Sequence, residues 1–416
     1  MSCEKTVVVI GGGAAGMMAA GVAARNGAKV YLIDKNKNLG KKLRITGKGR
    51  CNITNSADIS DFFAQIPVNH KFLYSALYSF TNEDVISLLN DLGVKTKTER
   101  GGRVFPASDS AHEVADAFKK YALYKNVTWL KNKVTKINTK DERVESVSLG
   151  ERKIKCDSVI IATGGKSYPL TGSDGSGYRL AKALGHSIVE PKPSLIPIVT
   201  KEKWVSDISG LSLKNVEISV YNKKNKKIYS DFGEMLFTHF GVSGPIVLSA
   251  SAHLKNLEKE EYTLKIDLKP ALSEEQLDAR LIRDFEKFRK KHIINGLDEL
   301  LPKSLIPHVI ALAGIPEDKE ISFITKEERG RLLNVLKGLS LTVSGFRPID
   351  EAIITSGGIK VSEINPSTLE SKLVKGLYFA GEVIDVDAYT GGFNLQIAWS
   401  TGYLAGQSAA LGDSEL

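Results

Sequence analysis

The sequence predicts an α/β protein in which one parallel-sheet domain is built from both ends of the chain, with a β-rich insert that carries its own helical subdomain between them. Three observations predict it. The first 34 residues read strand, helix, strand. β runs dominate from 194 to 268, and helical spacing from 273 to 338. After Leu341 the chain returns to β runs, an apolar strand and a small-residue helix. The expected division is 1–191 with 342–416 for the split domain, 192–271 for the β-rich insert and 272–341 for the helical subdomain.

The elements follow in order. Thr6 to Ile10 is a buried-strand run, Ala14 to Asn26 an Ala-rich helix, and Lys29 to Ile33 a second strand that ends at Asp34. Thr81 to Leu92 has apolar residues at helical spacing. Ser110 to Leu123 is a helix with Ser110 placed as its N-cap. Val127 to Ile137, Val144 to Leu149 and Asp157 to Ala162 are strands, and Ser176 to Leu184 is a helix. In the insert, LIPIV, VEISVY, KKIYSDF and YTLKIDL are β runs. Leu277, Leu281, Ile282, Phe285 and Phe288 make one apolar helical stripe. Leu332, Leu333, Leu336 and Leu339 make another. Such stripes are packing faces. The chain closes with the strand Leu377 to Ala380 and a helix after Asn394.

Composition sets limits. Hydrophobic residues are 42% and charged residues 25%, the balance of an ordinary globular protein. The formal charge of +9, from 57 Lys and Arg against 48 Asp and Glu, favours anionic ligands or simply a lysine-rich solvated surface. The densest basic stretch outside the motifs, Asn222 to Lys227, lies between two β runs and reads as a hairpin loop. Cys3, Cys51 and Cys156 have neither redox nor metal-ligand spacing, so no disulfide framework and no metal site is expected. Thr6 to Ala24 is uncharged, but Gly11, Gly12 and Gly13 interrupt it. It reads as strand plus helix, not as a signal or membrane span. A cytoplasmic location is expected.

Gly11, Gly13 and Gly16 form GxGxxG directly after a strand and at the opening of a helix. The first permits a tight turn, the second lets backbone approach a pyrophosphate, and the third lets the helix pack closely on the strand. Asp34, at the end of the second strand, is placed to accept from ribose hydroxyls and to repel a 2′-phosphate. That leaves NAD or FAD and argues against NADP. Four further segments lean to FAD. VIIATGG runs a strand into Thr163, Gly164 and Gly165. LYFAGEVIDVD delivers Gly381 and Glu382, with Asp385 beyond. TGGFNLQ (Thr390 to Gln396) opens a helix whose positive end would stabilise charge on a reduced flavin. GKKLRITGKGRCNITN (Gly40 to Asn55) mixes glycine with Lys41, Lys42, Arg44, Lys48 and Arg50, which suits a pyrophosphate.

These segments, with ATGGKSYPLTGSDGSGYRLAKALGH and LFTHFGVSGP, resemble in order and spacing the bacterial FAD-binding oxidoreductases labelled aminoacetone oxidase-like or BaiN-type flavoproteins. The resemblance covers essentially the whole chain, and a more distant similarity to the flavin domain of fumarate reductases is visible in the same places. It implies a Rossmann-type FAD-binding domain of the glutathione-reductase and fumarate-reductase kind. It also implies FAD contacts from Gly11, Gly13, Ala14, Ala15 and Gly16, from Asp34 and Lys35, and from Gly40, Lys42, Gly49, Arg50, Cys51 and Asn52. Val134, Ala162, Thr163, Gly164, Gly381, Glu382 and Asp385 follow, then Gly392, Phe393, Asn394, Leu395 and Gln396. Phe393 departs from the family, which often has tyrosine there.

Candidates for lining a substrate pocket are His239, Arg50, Arg347 and Tyr389; none is assigned a catalytic role. No second GxGxxG follows a strand, so NAD(P)H is expected only as a transient electron donor. Three classes compete. The leading one is a small-molecule flavoenzyme, either a reductase or an amine oxidase using oxygen. The second is an FAD protein acting on RNA. It is disfavoured because, beyond the hairpin loop, the sequence offers no basic cluster interleaved with aromatics. The third is a non-catalytic flavin sensor.

Overall fold

The computed structural model describes residues 5–254, 257 and 260–412. Cys3 lies outside the described residues. The chain divides into two compact units, Met1–Ser194 with Ile349–Leu416, and Leu195–Pro348.

The first unit is built on five parallel strands. They are β1 (Thr6–Ile10), β2 (Lys29–Asp34), β3 (Val127–Lys131), β4 (Ser158–Ile161) and β5 (Leu377–Phe379), in the spatial order β5-β4-β1-β2-β3. β1 and β4, paired on both sides, are continuous apolar runs, as strands covered on both faces must be. Three helices matter for the site: α1 (Ala14–Arg25), α2 (Ala111–Ala122) and α3 (Phe393–Leu411). α1 and α3 approach closely because both are small on their shared face. A Cβ on Gly402 would fall 2.5 Å from the Ala15 carbonyl oxygen, and one on Gly406 2.6 Å from that of Ala19. Trp399 stacks on Phe118 of α2 at 4.1 Å and donates its indole N–H to the Ile53 carbonyl. The arrangement is the Rossmann-type, parallel-sheet nucleotide domain that the motifs predict.

Local signals act with different success. Thr81 caps the helix Asn82–Asp91 in a reciprocal capping box with Asp84, worth about 1 kcal/mol. Ser110 stands at the N-cap position of α2 but its side chain makes no cap bond. The run expected as one strand from Val127 to Ile137 breaks in two: β3 ends at Lys131, and Lys136–Lys140 pairs instead with Arg143–Leu149.

The second unit is a closed six-stranded barrel in the order Ile198–Thr200, Gly241–Ser243, Lys227–Thr238, Ser212–Asn222, Tyr262–Asp267 and Leu339–Phe346. Asn222 to Lys227 is the hairpin turn that the alternating runs predict, with the Asn222 side chain accepting from the Lys224 and Lys226 amides. Helices Glu274–Lys287, Ile306–Leu312 and Lys326–Gly338 share one core with the barrel, in which Leu277, Leu281, Leu332 and Leu336 meet Leu264 and Ile266. Of the expected stripe residues only Ile282 is largely exposed. The boundary expected between 341 and 342 cuts through a strand. Leu339–Phe346 pairs on both sides within the barrel, and so the chain leaves this unit at Pro348. The boundary expected at 191 likewise moves to 194, because Ile188–Ser194 pairs with Ile354–Ile359 in the first unit.

Candidate functional site

In the first unit, the carboxyl ends of β1, β4 and β5 deliver three short loops beside the N-terminus of α1. The Ala162 amide donates to the Ile10 carbonyl at 2.8 Å, and the Ala380 amide to that of Ile161 at 3.0 Å. Gly11 has φ +105°, and a Cβ there would fall on the Ala162 carbonyl oxygen. A Cβ on Gly16 would fall on that of Gly11, and one on Gly381 would come within 2.8 Å of the Ala15 Cβ. Sterics therefore permit only glycine where these loops converge. Gly13 differs: a Cβ there would meet nothing within 4 Å. Its open side adjoins the start of α1, whose first N–H groups have no side-chain cap and no acidic residue in the first turn. Uncapped N–H groups facing open space suit an anion.

The surroundings fit a dinucleotide in other respects. Asp34 Oδ2 accepts from the Gly12 amide at 2.6 Å and Oδ1 from the Asn36 amide at 2.7 Å. This fixes the carboxylate and leaves acceptor capacity for a ribose. The hydroxyls of Thr163 and Tyr178 are buried without partners; a buried unpaired hydroxyl costs about 1–3 kcal/mol unless a ligand completes it. Val134 is buried just beyond β3.

The loop from 40 to 52 is less uniform than its composition suggests. Gly40, at φ +68°, donates its amide to the Gly12 carbonyl and so lies against the glycine motif. Lys42 reaches inward: Nζ bonds Glu382 at 2.8 Å and Ser167 Oγ at 2.6 Å. Lys35, an exposed residue, pairs with Asp174 at 2.7 Å. Gly49, at φ +86°, faces open space. The Arg50 guanidinium, however, is held by Glu99 and Asp109 and lies 4.2 Å over the Phe105 ring. Its carboxylate partners raise its pKa, and a guanidinium so committed is a structural anchor. The Cys51 thiol is buried, and burial pushes its pKa up to about 12. It is no thiolate nucleophile. Burial does the same to Cys156. Asn52, with its amide set to satisfy its neighbours, accepts from the Gly392 N–H at 3.0 Å.

Three carboxylates cluster after β5. Burial pushes the Glu382 carboxyl up, but Lys42 and hydrogen bonds from the Thr355 amide and Ser167 hydroxyl outweigh it and hold it below the usual range. Asp385 is raised by burial, against hydrogen bonds from Asn69 and the Gly357 amide. Asp387 is raised by burial too, against bonds from Ser194 and Ser356. Sequence reasoning missed Ser167, Thr355, Asn69 and Tyr178. No local pattern marks them: Ser167, Thr355 and Asn69 meet their partners across long stretches of chain, and the Tyr178 hydroxyl is buried without one.

The TGGFNLQ segment divides by group. Gly392, at φ +104°, is the N-cap of α3, which has neither side-chain cap nor acidic first turn, so its first N–H groups stay available. The side chains look inward. Phe393 packs edge-on against Phe62 at 4.9 Å. Asn394 staples the Ala388 and Tyr389 backbone. Gln396 is buried and bonded to Thr54, Phe80 and Ser400, with its amide N–H on the Gly392 carbonyl. Leu395 is half-buried. Gln396 therefore belongs to the scaffold, because each of its polar groups is already paired inside the unit.

Among the pocket candidates, Tyr389 sits at this segment with its amide on the Gln65 carbonyl. His239 and Arg347 belong to the barrel unit. There the exposed His239 ring lies edge-on to Phe240 and the Arg347 guanidinium sits 4.7 Å over the same ring. Among the described residues, no cluster of acidic, His and Cys side chains could hold a metal ion, and no helix is long and apolar enough to cross a membrane.

The model of the HI0933-like protein Rossmann domain matches residues 5–408. This chain belongs to the HI0933-like family. The HI0933-like chain is an FAD-dependent oxidoreductase, as the order of its motifs predicts. It is 33% identical to the 3-dehydro-bile acid delta(4,6)-reductase of Clostridium scindens, over 97% of this chain and 98% of that one. It is also 33% identical to a ribosomal RNA dihydrouridine synthase of Haemophilus influenzae, over 97% and 98%. Among solved structures it is similar to an open flavocytochrome c3 fumarate reductase, with a TM-score of 0.49 at 18% identity, over 98% of this chain and 78% of that one.

Proposed function

We propose that this chain reduces a carbon–carbon double bond conjugated to a carbonyl group in a small organic molecule, with NAD(P)H as transient electron donor. The observation that carries this reading is the 33% identity, end to end, to a protein named as a delta(4,6)-reductase of a 3-dehydro-bile acid. A double bond conjugated to a carbonyl takes a hydride at the carbon remote from the carbonyl and a proton at the adjacent one.

FAD, when bound, supplies the flavin N5 through which a hydride passes. This chain's residues do the rest. The N–H groups at the start of α1 would hold the pyrophosphate, and Asp34 would accept from the adenosine ribose. Asp385 would bind the ribityl hydroxyls. The free N–H groups at the start of α3 would stabilise negative charge on the flavin. Lys42 and Glu382 pair and so fix the loop that carries Lys42.

A second reading, that the double bond belongs to a uracil in RNA, is favoured by the relative named as a ribosomal RNA dihydrouridine synthase. Both names describe hydrogen added across such a bond, so one experiment weighs them. The flavin is reduced anaerobically with NADPH or NADH in a stopped-flow cell, then offered conjugated enones or uracil-containing RNA. Bleaching by the nicotinamide and reoxidation by an enone is the expected result, and reoxidation by RNA alone would select the second reading. A flavin that resists NAD(P)H, or that reoxidises only with oxygen and releases peroxide, would overturn both.

A further inference from the structure

One stretch of the first unit is unusual for its charge. Residues 117 to 140 contain seven lysines and no Asp or Glu. In a chain with 57 basic and 48 acidic residues, a basic tract of this length without a single acid is a strong local excess. The fold gathers much of it at one edge. β3 is the last strand of the sheet, α2 ends beside it, and Asn126 ties the connecting loop to the end of α1 through the Ala24 and Ala28 carbonyls.

Aromatic rings are interleaved with the cations there. Arg25 lies 3.8 Å over Tyr121 and 4.6 Å over the exposed ring of Tyr124, which Lys125 also approaches. Lys119 and Lys131 flank Trp129 at 5.5 and 5.0 Å. The Trp129 indole N–H is covered and has no acceptor. Lys120, Lys125, Lys131 and Lys133 are exposed, and none pairs with a carboxylate among the described residues. Asp34, opposite Lys131 in the strand register, already accepts two backbone amides.

Lysines on an edge strand have a simpler use, since they discourage pairing with another sheet. That use needs charge on the strand alone. Here the charge begins on α2, crosses the loop and continues beyond the strand, and it is interleaved with aromatic faces. A surface of this kind fits a polymer whose phosphates are regularly spaced, with the exposed Tyr124 ring open to a base. An anionic membrane would instead call for exposed aliphatic side chains to insert, and this edge has none of the large exposed aliphatics.

We propose that the edge formed by the end of α1, the end of α2 and β3 is a docking surface for the backbone of single-stranded RNA. This deepens the second reading above, but it is tested by binding, so its failure is distinguishable from failure of either reductase reading.

The test uses the full-length flavoprotein and a fluorescein-labelled 20-nucleotide oligouridylate, read by anisotropy. Binding is expected to weaken with salt, the slope of log affinity against log salt growing by about 0.7 for each phosphate neutralised. The triple variant Lys120→Glu, Lys125→Glu, Lys131→Glu should lose about tenfold or more in affinity while keeping its flavin content. An equal charge change in the barrel hairpin, Lys223→Glu, Lys224→Glu, Lys226→Glu, should lose much less. Should the triple variant fail to fold, ultraviolet crosslinking of the wild-type protein to the same RNA should label the segment from 119 to 133. Absence of salt-dependent binding, a larger loss in the hairpin variant, crosslinks confined elsewhere, or preference for anionic phosphatidylserine vesicles over RNA would each overturn the proposal.

Discussion

The strand-end loops of the first unit and the barrel of the second are built under different constraints. In the loops the demand falls on the backbone. Gly11, Gly16 and Gly381 are required because neighbouring atoms lie where a Cβ would go. In the barrel the demand falls on side-chain volume, and Leu264, Ile266, Leu277 and Leu336 serve as filler that other apolar residues of similar size could replace. Backbone demands leave a signature of residue type and spacing, whereas volume demands leave only a periodicity.

That contrast can be broken or sharpened by substitution. The largest effect is expected from Gly16→Val, whose side chain would collide with the Gly11 carbonyl. The purified protein should carry no flavin absorbance, and a normal flavin spectrum would refute the steric reading of the motif. Next comes Lys42→Met, which strands the half-buried Glu382 carboxylate. Both side chains keep some exposure, so removing one partner costs less than for a fully buried pair, about 2–3 kcal/mol, measurable by urea unfolding at neutral pH. The sign with pH follows from the lowered Glu382 pKa. In the wild type this stabilisation is present above the ordinary glutamate value of 4.5 and is lost as pH falls through the lower folded value. In Lys42→Met the deficit should shrink on acidification, as the carboxyl protonates.

Asp34→Asn removes a charged acceptor and should weaken FAD binding by about 1.5–3 kcal/mol, read by titration of the apoprotein. Asp387→Asn tests the opposite sign. Burial raises that carboxyl, so its ionised form costs stability above the ordinary aspartate value of 3.8, and the variant should gain stability at neutral pH with the gain vanishing in acid. The smallest effect belongs to the other unit. Gly330 lies in the helix Lys326–Gly338, and a Cβ there would meet nothing within 4 Å. Gly330→Ala should raise the melting temperature slightly, for a gain of at most about 1 kcal/mol. A loss would show that the two units treat glycine alike.

What the sequence made legible follows the same division. The βαβ start, the glycine motif, Asp34 and the hairpin at Asn222 to Lys227 could be read because each is a local pattern with a local cause. Gln396 and Asn394 look like ligands in a motif, yet their amides are spent on the scaffold, and no local pattern tells an inward amide from an outward one. The end of the insert was misplaced at 341 because a strand that closes a barrel carries no mark of which sheet it joins. The lysines of 117 to 140 form no motif in the sequence because they are spaced five or six residues apart in places, and it is the turn from helix to edge strand that sets them side by side.

The close seat of α3 on α1 also governs the order in which the molecule can be made. The helix α1, with its uncapped N-terminus, is synthesised first, but its partner spans Phe393–Leu411. On the ribosome, every residue of the barrel emerges before that partner does. The barrel unit can therefore close during translation, while the nucleotide unit waits with an uncovered Ala-rich helix for a contact nearly four hundred residues downstream. Acquisition of the flavin is thus a late event in the life of the chain, and the nascent first unit is the part most in need of protection from aggregation.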